Sequence, residues 1–330
     1  MIGVIGAGSW GSALASVLAR NSSQQQFIYG RDTNVVDDIN SNHANNKYLP
    51  DIVLPLNLKA SNNLQEVVLA SKDILLSVPS SSFPTVLLEI KQYLIKGQRL
   101  IWVTKGLEYG SACFLSEVVT QIMGKDFTFA MLSGPSFAKE VANNMPTAVV
   151  VASSCPEFAK YVQQEFINEN FRVYLSDDLL GVQLGGVMKN IFAVAAGISD
   201  GLGYGANARA ALITRAIAEM LRLGHKIGAR AETIMGLSGV GDLILTCTDN
   251  QSRNRRYGLA LANNKSKALA QQEIGQVVEA LYNCVEINRL AAQHAVDMPI
   301  TQEILSVLDG SKTIEEAVHN LMQRKPRQKE

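Results

Sequence analysis

The sequence predicts two domains: an α/β N-terminal domain with a doubly wound, mostly parallel sheet over residues 1–178, and an all-α C-terminal domain over 179–330. Three observations predict this. The first half alternates short β-rich runs with helical patterns, the second half carries long alanine-, leucine- and glycine-containing segments without strand signals, and the chain opens on a strand, a glycine-rich turn and a helix. A length of 330 residues accommodates two domains of ordinary size, about 100–200 residues each.

In chain order, strands are expected at 2–5 (IGVI), 27–30 (FIYG), 74–78 (ILLSV), 100–104 (LIWVT), 127–133 (FTFAMLS), 148–152 (AVVVA) and 172–175 (RVYL). Short runs rich in β-branched and aromatic residues fit a sheet covered on both faces. Helical patterns occupy 9–20, 64–70, 83–92, 111–123, 137–143 and 156–168 between them. Beyond Asp178 the helical segments are 179–199, 206–227, 230–236, 255–263, 276–295, 301–308 and 313–323, and the closing RKPRQKE at 324–330 reads as a solvated tail.

Hydrophobic residues make up 47% of the chain, enough for a large core, and thirty basic side chains cancel thirty acidic ones. No global charge draws the protein to nucleic acid or anionic membranes, so any anionic ligand must be recognised locally. Cys113, Cys155, Cys247 and Cys284 are widely separated and form no C-x-x-C pair, which indicates reduced, structural thiols. His43, His225, His294 and His319 are scattered without metal-ligand spacing, so no metal site is expected. The first 19 residues carry no charge, but they lack a basic leader region and are interrupted by Gly3, Gly6, Gly8 and Gly11. They read as a buried strand and helix of a cytoplasmic protein without stable membrane insertion.

Gly6-Ala7-Gly8-Ser9-Trp10-Gly11 is G-x-G-x-x-G between a strand and a helix, the context a dinucleotide-binding Rossmann domain demands. Gly6 permits the tight turn, Gly8 lets backbone approach a pyrophosphate, and Gly11 allows close packing of helix on strand. The free N–H groups and positive dipole end of the helix then face the phosphates. A merely structural turn is the alternative. The second strand leads into Arg31-Asp32, where an acidic residue would bind ribose hydroxyls or an arginine a 2′-phosphate; Arg31 favours NADP.

Lys189 is the only charged residue between Asp178 and Asp200. A helix through this run is apolar nearly all round and therefore buried, where a lysine needs a partner or a purpose. Gly185, Gly186, Ala193 and Ala196 stand at helical spacing from it and leave a hollow around the amine. Snorkelling out at a bend, or pairing with a distant carboxylate for structural reasons, are the alternatives. Asp242 follows the glycine-dense 236–241 and precedes Leu243-Ile244-Leu245, so it is either a partner for Lys189 or a helix cap.

A second anion site is read at Ser252-Arg253-Asn254-Arg255-Arg256. Ser252 as an N-cap puts arginines in a first helical turn, where the dipole disfavours cations unless an anion binds there. Arg253 can grip a phosphate bidentately, with Ser252 and Asn254 adding neutral hydrogen bonds, while only some of the arginines need face it. A solvated basic face is the alternative. Lys105 and the 133–140 stretch mark two further strand ends in the first domain, the edge where ligands bind in open α/β sheets; a surface lysine or an ordinary helix cap is the alternative for each.

Taken in order, GAGSWG, VTKGLE, LSGPSFAKEV, GGVMKNIFAVAAGISDGL, GLSGVGDLILTCT and SRNRRYG resemble the NAD(P)-dependent sn-glycerol-3-phosphate dehydrogenases of the bacterial type over nearly the whole chain. The resemblance implies a Rossmann domain, a helical domain, a homodimer, and reversible NAD(P)H-dependent reduction of dihydroxyacetone phosphate that feeds glycerophospholipid synthesis. It implies Lys189 as the catalytic lysine, with Lys105, Gly134, Ser136, Asp242, Ser252, Arg253 and Asn254 as further substrate contacts. Its cofactor contacts fall on Ser9, Trp10, Arg31, Tyr48, Lys105, Ala138, Arg253, Val277 and Glu279, beside Gly6, Gly8 and Gly11 of the turn. Two rivals remain at this stage. A β-hydroxyacid dehydrogenase of similar architecture would need a carboxylate site, and a non-catalytic dinucleotide sensor would need neither the buried lysine nor the second anion site.

Overall fold

The computed structural model describes residues 1–324, so 325–330 of the expected tail lie outside the described residues. Eight strands form one sheet: β1 (Ile2–Ile5), β2 (Gln26–Tyr29), β3 (Leu58–Ser61), β4 (Asp73–Leu76), β5 (Arg99–Trp102), β6 (Phe129–Ser133), β7 (Thr147–Ala152) and β8 (Phe171–Ser176). Their order is β3-β2-β1-β4-β5-β6-β7-β8. Every neighbouring pair is parallel except β6 and β7, which run antiparallel.

The helices of this part are α1 (Ser9–Arg20), α2 (Thr33–Asn42), α3 (Leu64–Ala70), α4 (Phe83–Lys91), α5 (Leu115–Met123), α6 (Ala138–Ala142) and α7 (Pro156–Phe166). The expected alternation is therefore present, with two elements added. β3 is only four residues long and carries an exposed lysine, and α2 buries just Val35, Val36 and Ile39. Both lie at the sheet's edge, where so little apolar surface is covered that the periodic signal is faint. β1 is buried at every position, as are residues 11–19 of α1, which explains an opening stretch without charge.

The amino ends of β4 and β5 are locked by a structural ion pair. The Arg99 guanidinium grips the fully buried Asp73 at 2.6 and 2.9 Å and lies over the rings of Phe158 and Tyr161. That planar fork and its stacking explain why a carboxylate can open a central strand.

The helices that follow are α8 (Leu179–Gly201), α9 (Gly205–Ile227), α10 (Ala231–Ile234), α11 (Asp242–Thr248), α12 (Arg253–Ala262), α13 (Lys267–Ile274), α14 (Ala280–Gln293), α15 (Pro299–Asp309) and α16 (Ile314–Gln323). The chain forms two compact units, one of residues 1–108 and 113–183, the other of 109–112 and 184–330. α8 runs through the point where they divide. Within the second unit, the Glu286 carboxylate accepts the backbone N–H groups of Gly110 and Ala112, each at 2.9 Å, and pairs with Arg289 at 2.7 Å.

α8 is long and apolar enough to cross a membrane, yet 83% of its most apolar window is buried inside the fold. It is a core helix. Its crossing with α12 is close because glycines carry it: a Cβ on Gly197 would strike the Arg255 carbonyl, and one on Gly258 would strike the Val194 carbonyl.

Glu219 on α9 is 1% exposed and accepts the N–H groups of Ile300 at 2.6 Å and Thr301 at 3.2 Å, besides the Thr301 hydroxyl at 2.8 Å. It caps α15 from across the sequence, at a helix start that has no side-chain cap of its own. Burial pushes its carboxyl above the usual carboxylate range despite these hydrogen bonds. A carboxyl whose folded pKa is raised stabilises fully below its unfolded value and loses that contribution as pH rises through the folded value. The Tm of wild type relative to Glu219→Gln is therefore expected to rise as pH falls from neutral toward 5, read by thermal melts of both proteins. A pH-independent difference would contradict it.

Candidate active site

The glycine turn fits a dinucleotide on an observation of its own. Gly6 has φ +117°, and a Cβ there would collide with the Ser77 carbonyl; a Cβ on Gly11 would collide with the Gly6 carbonyl. The fold itself requires those two glycines. Gly8 is different: its φ of −77° suits any residue, and a Cβ would meet nothing within 4 Å. A glycine that neither backbone strain nor packing demands keeps a surface bare for something outside the chain. Gly8 is also the N-cap of α1, without a side-chain cap and without an acid in the first turn, so the helix presents its N–H groups uncompensated.

Around this turn the segment 45–49 is folded back. The Ser9 hydroxyl donates to the Tyr48 carbonyl at 2.6 Å, which brings two expected cofactor contacts together. Asn45, fully buried, donates to the Ala7 carbonyl at 3.0 Å and to Ser12 Oγ at 2.8 Å. Trp10 is half-buried against the core of the first unit. At the end of β2, Asp32 caps α2 through the Asn34 N–H and pairs with Lys47 at 2.7 Å. The Lys47 hydrogen bond holds its carboxyl below the ordinary carboxylate range. Asp32 is thus engaged by the protein, while Arg31 beside it is exposed.

At the carboxyl ends of β5 and β6, Lys105, Gly134 and Ser136 converge. Lys105 Nζ donates to the Gly134 carbonyl at 3.1 Å and Ser136 Oγ to the same oxygen at 2.9 Å. Gly134 has φ +148° and lies against the Val149 backbone, so only glycine fits there. Ala138 opens the one-turn α6 just beyond them.

In the second unit, Lys189 Nζ lies 2.6 Å from Asp242 Oδ1 and 3.0 Å from Thr246 Oγ1. The two charged side chains are 12% and 1% exposed, so this is a buried, hydrogen-bonded ion pair. Asp242 and Thr246 are one turn apart on α11, and the Thr246 hydroxyl also donates to the Asp242 carbonyl at 2.6 Å. Thr246 escaped the sequence reading because 242–248 was not expected to be a helix. The i,i+4 spacing was the available signal.

The hollow expected around Lys189 is occupied on its Gly185 side. Gly185 is filled by the backbone of a neighbouring turn: a Cβ there would meet the Ser238 carbonyl oxygen at 2.5 Å and Gly239 Cα at 2.9 Å. That turn, Leu237–Gly241, is a single π-helical turn leading into α11, where the sequence suggested a loop. Such turns are frequent at functional sites. Here Gly185 lets α8 approach the turn closely, and the turn leads into α11, which carries Asp242 to the lysine.

Ser252 is the N-cap of α12, its hydroxyl accepting the Arg255 N–H at 3.2 Å. Arg253 is exposed and touches Gln276 Oε1 at 3.0 Å. Arg255 instead turns inward to the Cys247 carbonyl, Asn250 and Asp200. Asn254 is buried, its amide donating to Asn190 Oδ1 at 2.9 Å and accepting the Ala280 N–H at 3.1 Å. Because α14 begins only at Ala280, Val277 and Glu279 lie in the preceding turn rather than in the expected helix. The Arg253 bond to Gln276 and the Ala280 N–H donated to Asn254 Oδ1 tie that turn and the start of α14 to the start of α12. Among the described residues no group of three or more histidine, cysteine or acidic side chains is arranged to hold a metal.

Comparison with known proteins places this architecture. The family model for the NAD-dependent glycerol-3-phosphate dehydrogenase N-terminus matches residues 1–159, and that for the C-terminus matches 178–319. A glycerol-3-phosphate dehydrogenase (NAD(P)+) of Bartonella quintana (strain Toulouse) is 48% identical over 322 residues, 97% of this chain and 94% of that protein. Its counterpart in Mannheimia succiniciproducens is 46% identical over 98% of this chain and 96% of its own. The crystal structure of glycerol-3-phosphate dehydrogenase from Coxiella burnetii superposes with a TM-score of 0.94 at 46% identity, covering 98% of both chains. With both halves of its length matched and relatives aligned from end to end, the chain belongs to the NAD-dependent glycerol-3-phosphate dehydrogenase family.

Proposed function

We propose a division of labour between the two units in an enzyme that reversibly reduces dihydroxyacetone phosphate to sn-glycerol 3-phosphate with NAD(P)H. The buried Lys189–Asp242 pair carries the proposal, since a lysine held so firmly in an apolar helix has a proton to move at a fixed place. Bound NAD(P)H supplies the hydride. Gly6, Gly8, Ser9, Trp10 and Gly11 hold the dinucleotide, with Arg31, Tyr48, Lys105, Ala138, Arg253, Val277 and Glu279 as further contacts. Lys189 protonates the substrate's carbonyl oxygen as it gains negative charge, and takes the proton back in the reverse direction. Asp242 and Thr246 fix the direction of the amine.

Ser252, Arg253 and Asn254 hold the substrate phosphate, and Lys105, Gly134 and Ser136 are further contacts of the substrate. Binding energy at that phosphate, remote from the reacting carbon, orients the carbonyl for transfer. The product feeds glycerophospholipid synthesis, and the protein works as a cytoplasmic homodimer. Loss of nicotinamide absorbance on adding dihydroxyacetone phosphate, followed once with NADH and once with NADPH, tests the activity. No loss with either would sink it.

Arg31 sets the choice between the two cofactors. As the exposed residue beside an engaged Asp32, it is the group available to a 2′-phosphate. Arg31→Ala should raise the KM for NADPH by about tenfold, the worth of one charge-assisted hydrogen bond, and leave that for NADH nearly unchanged. Equal effects on both would remove Arg31 from that role.

A further inference from the structure

We propose that Asn45 is a positioning residue for the dinucleotide: it sets the orientation of the Ala7–Gly8 peptide and docks the first turn of α1 against it. The inference rests on the assignment of the glycine turn to NAD(P)H. Asn45 is 0% exposed and lies more than thirty residues along the chain from both groups it holds. One side-chain amide donates twice, to the Ala7 carbonyl at 3.0 Å and to Ser12 Oγ at 2.8 Å. Its own oxygen accepts the Tyr48 N–H at 3.3 Å, and its backbone carbonyl accepts the Leu49 N–H at 2.7 Å.

The consequence follows from peptide geometry. The Ala7–Gly8 bond is trans, and in a trans peptide the C=O and N–H point in opposite directions. Holding the Ala7 oxygen on the Asn45 side therefore turns the Gly8 N–H the other way. Gly8 is the position whose missing Cβ opens onto empty space. Asn45 thus fixes the direction of the backbone donor at the residue that leaves this surface bare. Its second hydrogen bond, to Ser12, fixes where the N–H groups of α1 stand relative to that donor. The Ser9–Tyr48 hydrogen bond closes the same segment over the turn from the other end. Asparagine is required by chemistry as well as shape: aspartate has the same outline but supplies no donor when ionised, and it sets a negative charge beneath the phosphates.

The test measures Kd for NADH on the full chain without substrate, together with kcat, both KM values and Tm, for Asn45→Ala, Asn45→Asp and Ser12→Ala, with Gly8→Val as reference. Asn45→Ala should raise Kd and KM for NADH by about tenfold, because the Ala7–Gly8 peptide and the first turn of α1 must then be ordered when the dinucleotide binds. The KM for dihydroxyacetone phosphate and kcat at saturating NADH should stay within about twofold, since neither depends on dinucleotide affinity once the site is filled. Asn45→Asp should weaken binding more than Asn45→Ala despite its better fit, an order that a space-filling role would reverse. Ser12→Ala should weaken binding in wild type and add nothing in Asn45→Ala, a coupling that carries the test even if Asn45→Asp fails to fold. Unchanged Kd in Asn45→Ala while Gly8→Val loses binding overturns the inference alone. A wild type that binds neither NADH nor NADPH overturns the assignment of the turn, and the inference with it.

Discussion

Lys189→Ala is expected to lower turnover of dihydroxyacetone phosphate by about a hundredfold to ten-thousandfold, the usual contribution of a positioned acid–base group. The geometry argues for the upper part of that range. Asp242 and Thr246 hold the amine at 2.6 and 3.0 Å, so its proton is presented in one direction without further ordering. Removing the ammonium also leaves the Asp242 carboxylate, 1% exposed, without its counter-charge. Breaking a buried pair from one side destabilises by about 3–5 kcal/mol. Activity could then fall merely because the second unit unfolds, and Tm measured beside NADH affinity separates the two causes. The glycine turn belongs to the first unit, so a folded Lys189→Ala protein should bind NADH as wild type does while failing to turn over. Near-normal turnover would refute the assignment of Lys189. Lost turnover accompanied by a sharply lowered Tm or by lost NADH affinity would show only a fold that failed.

Long buried elements were legible in the sequence. α8 reads as buried because ten uncharged residues flank Lys189 on each side, and β1 with its glycine turn reads as a βαβ opening because the fingerprint stands between strand and helix. What escaped has a common physical cause. β3 and α2 cover only an edge, so their residues need not alternate. α11 and the π turn before it are short, and the turn's close approach to Gly185 arises from a backbone packing on a backbone, which no side-chain periodicity records. For the same reason a space expected beside Lys189 turned out to be occupied. Partnerships differ in the same way. Asp242 could be nominated for Lys189 because both interrupt apolar runs and each needs the other. Asn45 stands in a polar stretch, NHANNKYL, where one asparagine cannot be told from its neighbours until the chain has folded back on the glycine turn.

The arginines of α12 should separate sharply under mutation. Arg253→Ala is expected to raise the KM for dihydroxyacetone phosphate by about ten- to a hundredfold, the worth of a charge-assisted hydrogen bond to phosphate, with little change in Tm. Arg255→Ala is expected to cost about 1–3 kcal/mol of stability, the penalty for the buried acceptors it leaves unsatisfied, seen as a lowered Tm. Two residues apart on a helix, the side chains point to nearly opposite faces, so one turn cannot present both to the same ligand. Arg253 is on the exposed face, where it donates to Gln276 Oε1 and feels the Glu279 carboxylate. Arg255 is 7% exposed and satisfies the Cys247 carbonyl, the Asn250 side chain and Asp200, the last of which Arg209 alone would then neutralise at 2.8 Å. Its loss would also loosen the segment between α11 and α12, because Cys247 belongs to the helix that carries Asp242 and Asn250 lies just beyond it. Some KM effect should therefore follow in Arg255→Ala, but only together with the fall in Tm. Arg253→Lys sharpens the contrast: it keeps the charge and loses the planar fork, and should recover part of the affinity. A reversed pattern, with Arg253→Ala lowering Tm and Arg255→Ala raising only KM, would place the phosphate on the other face of the helix.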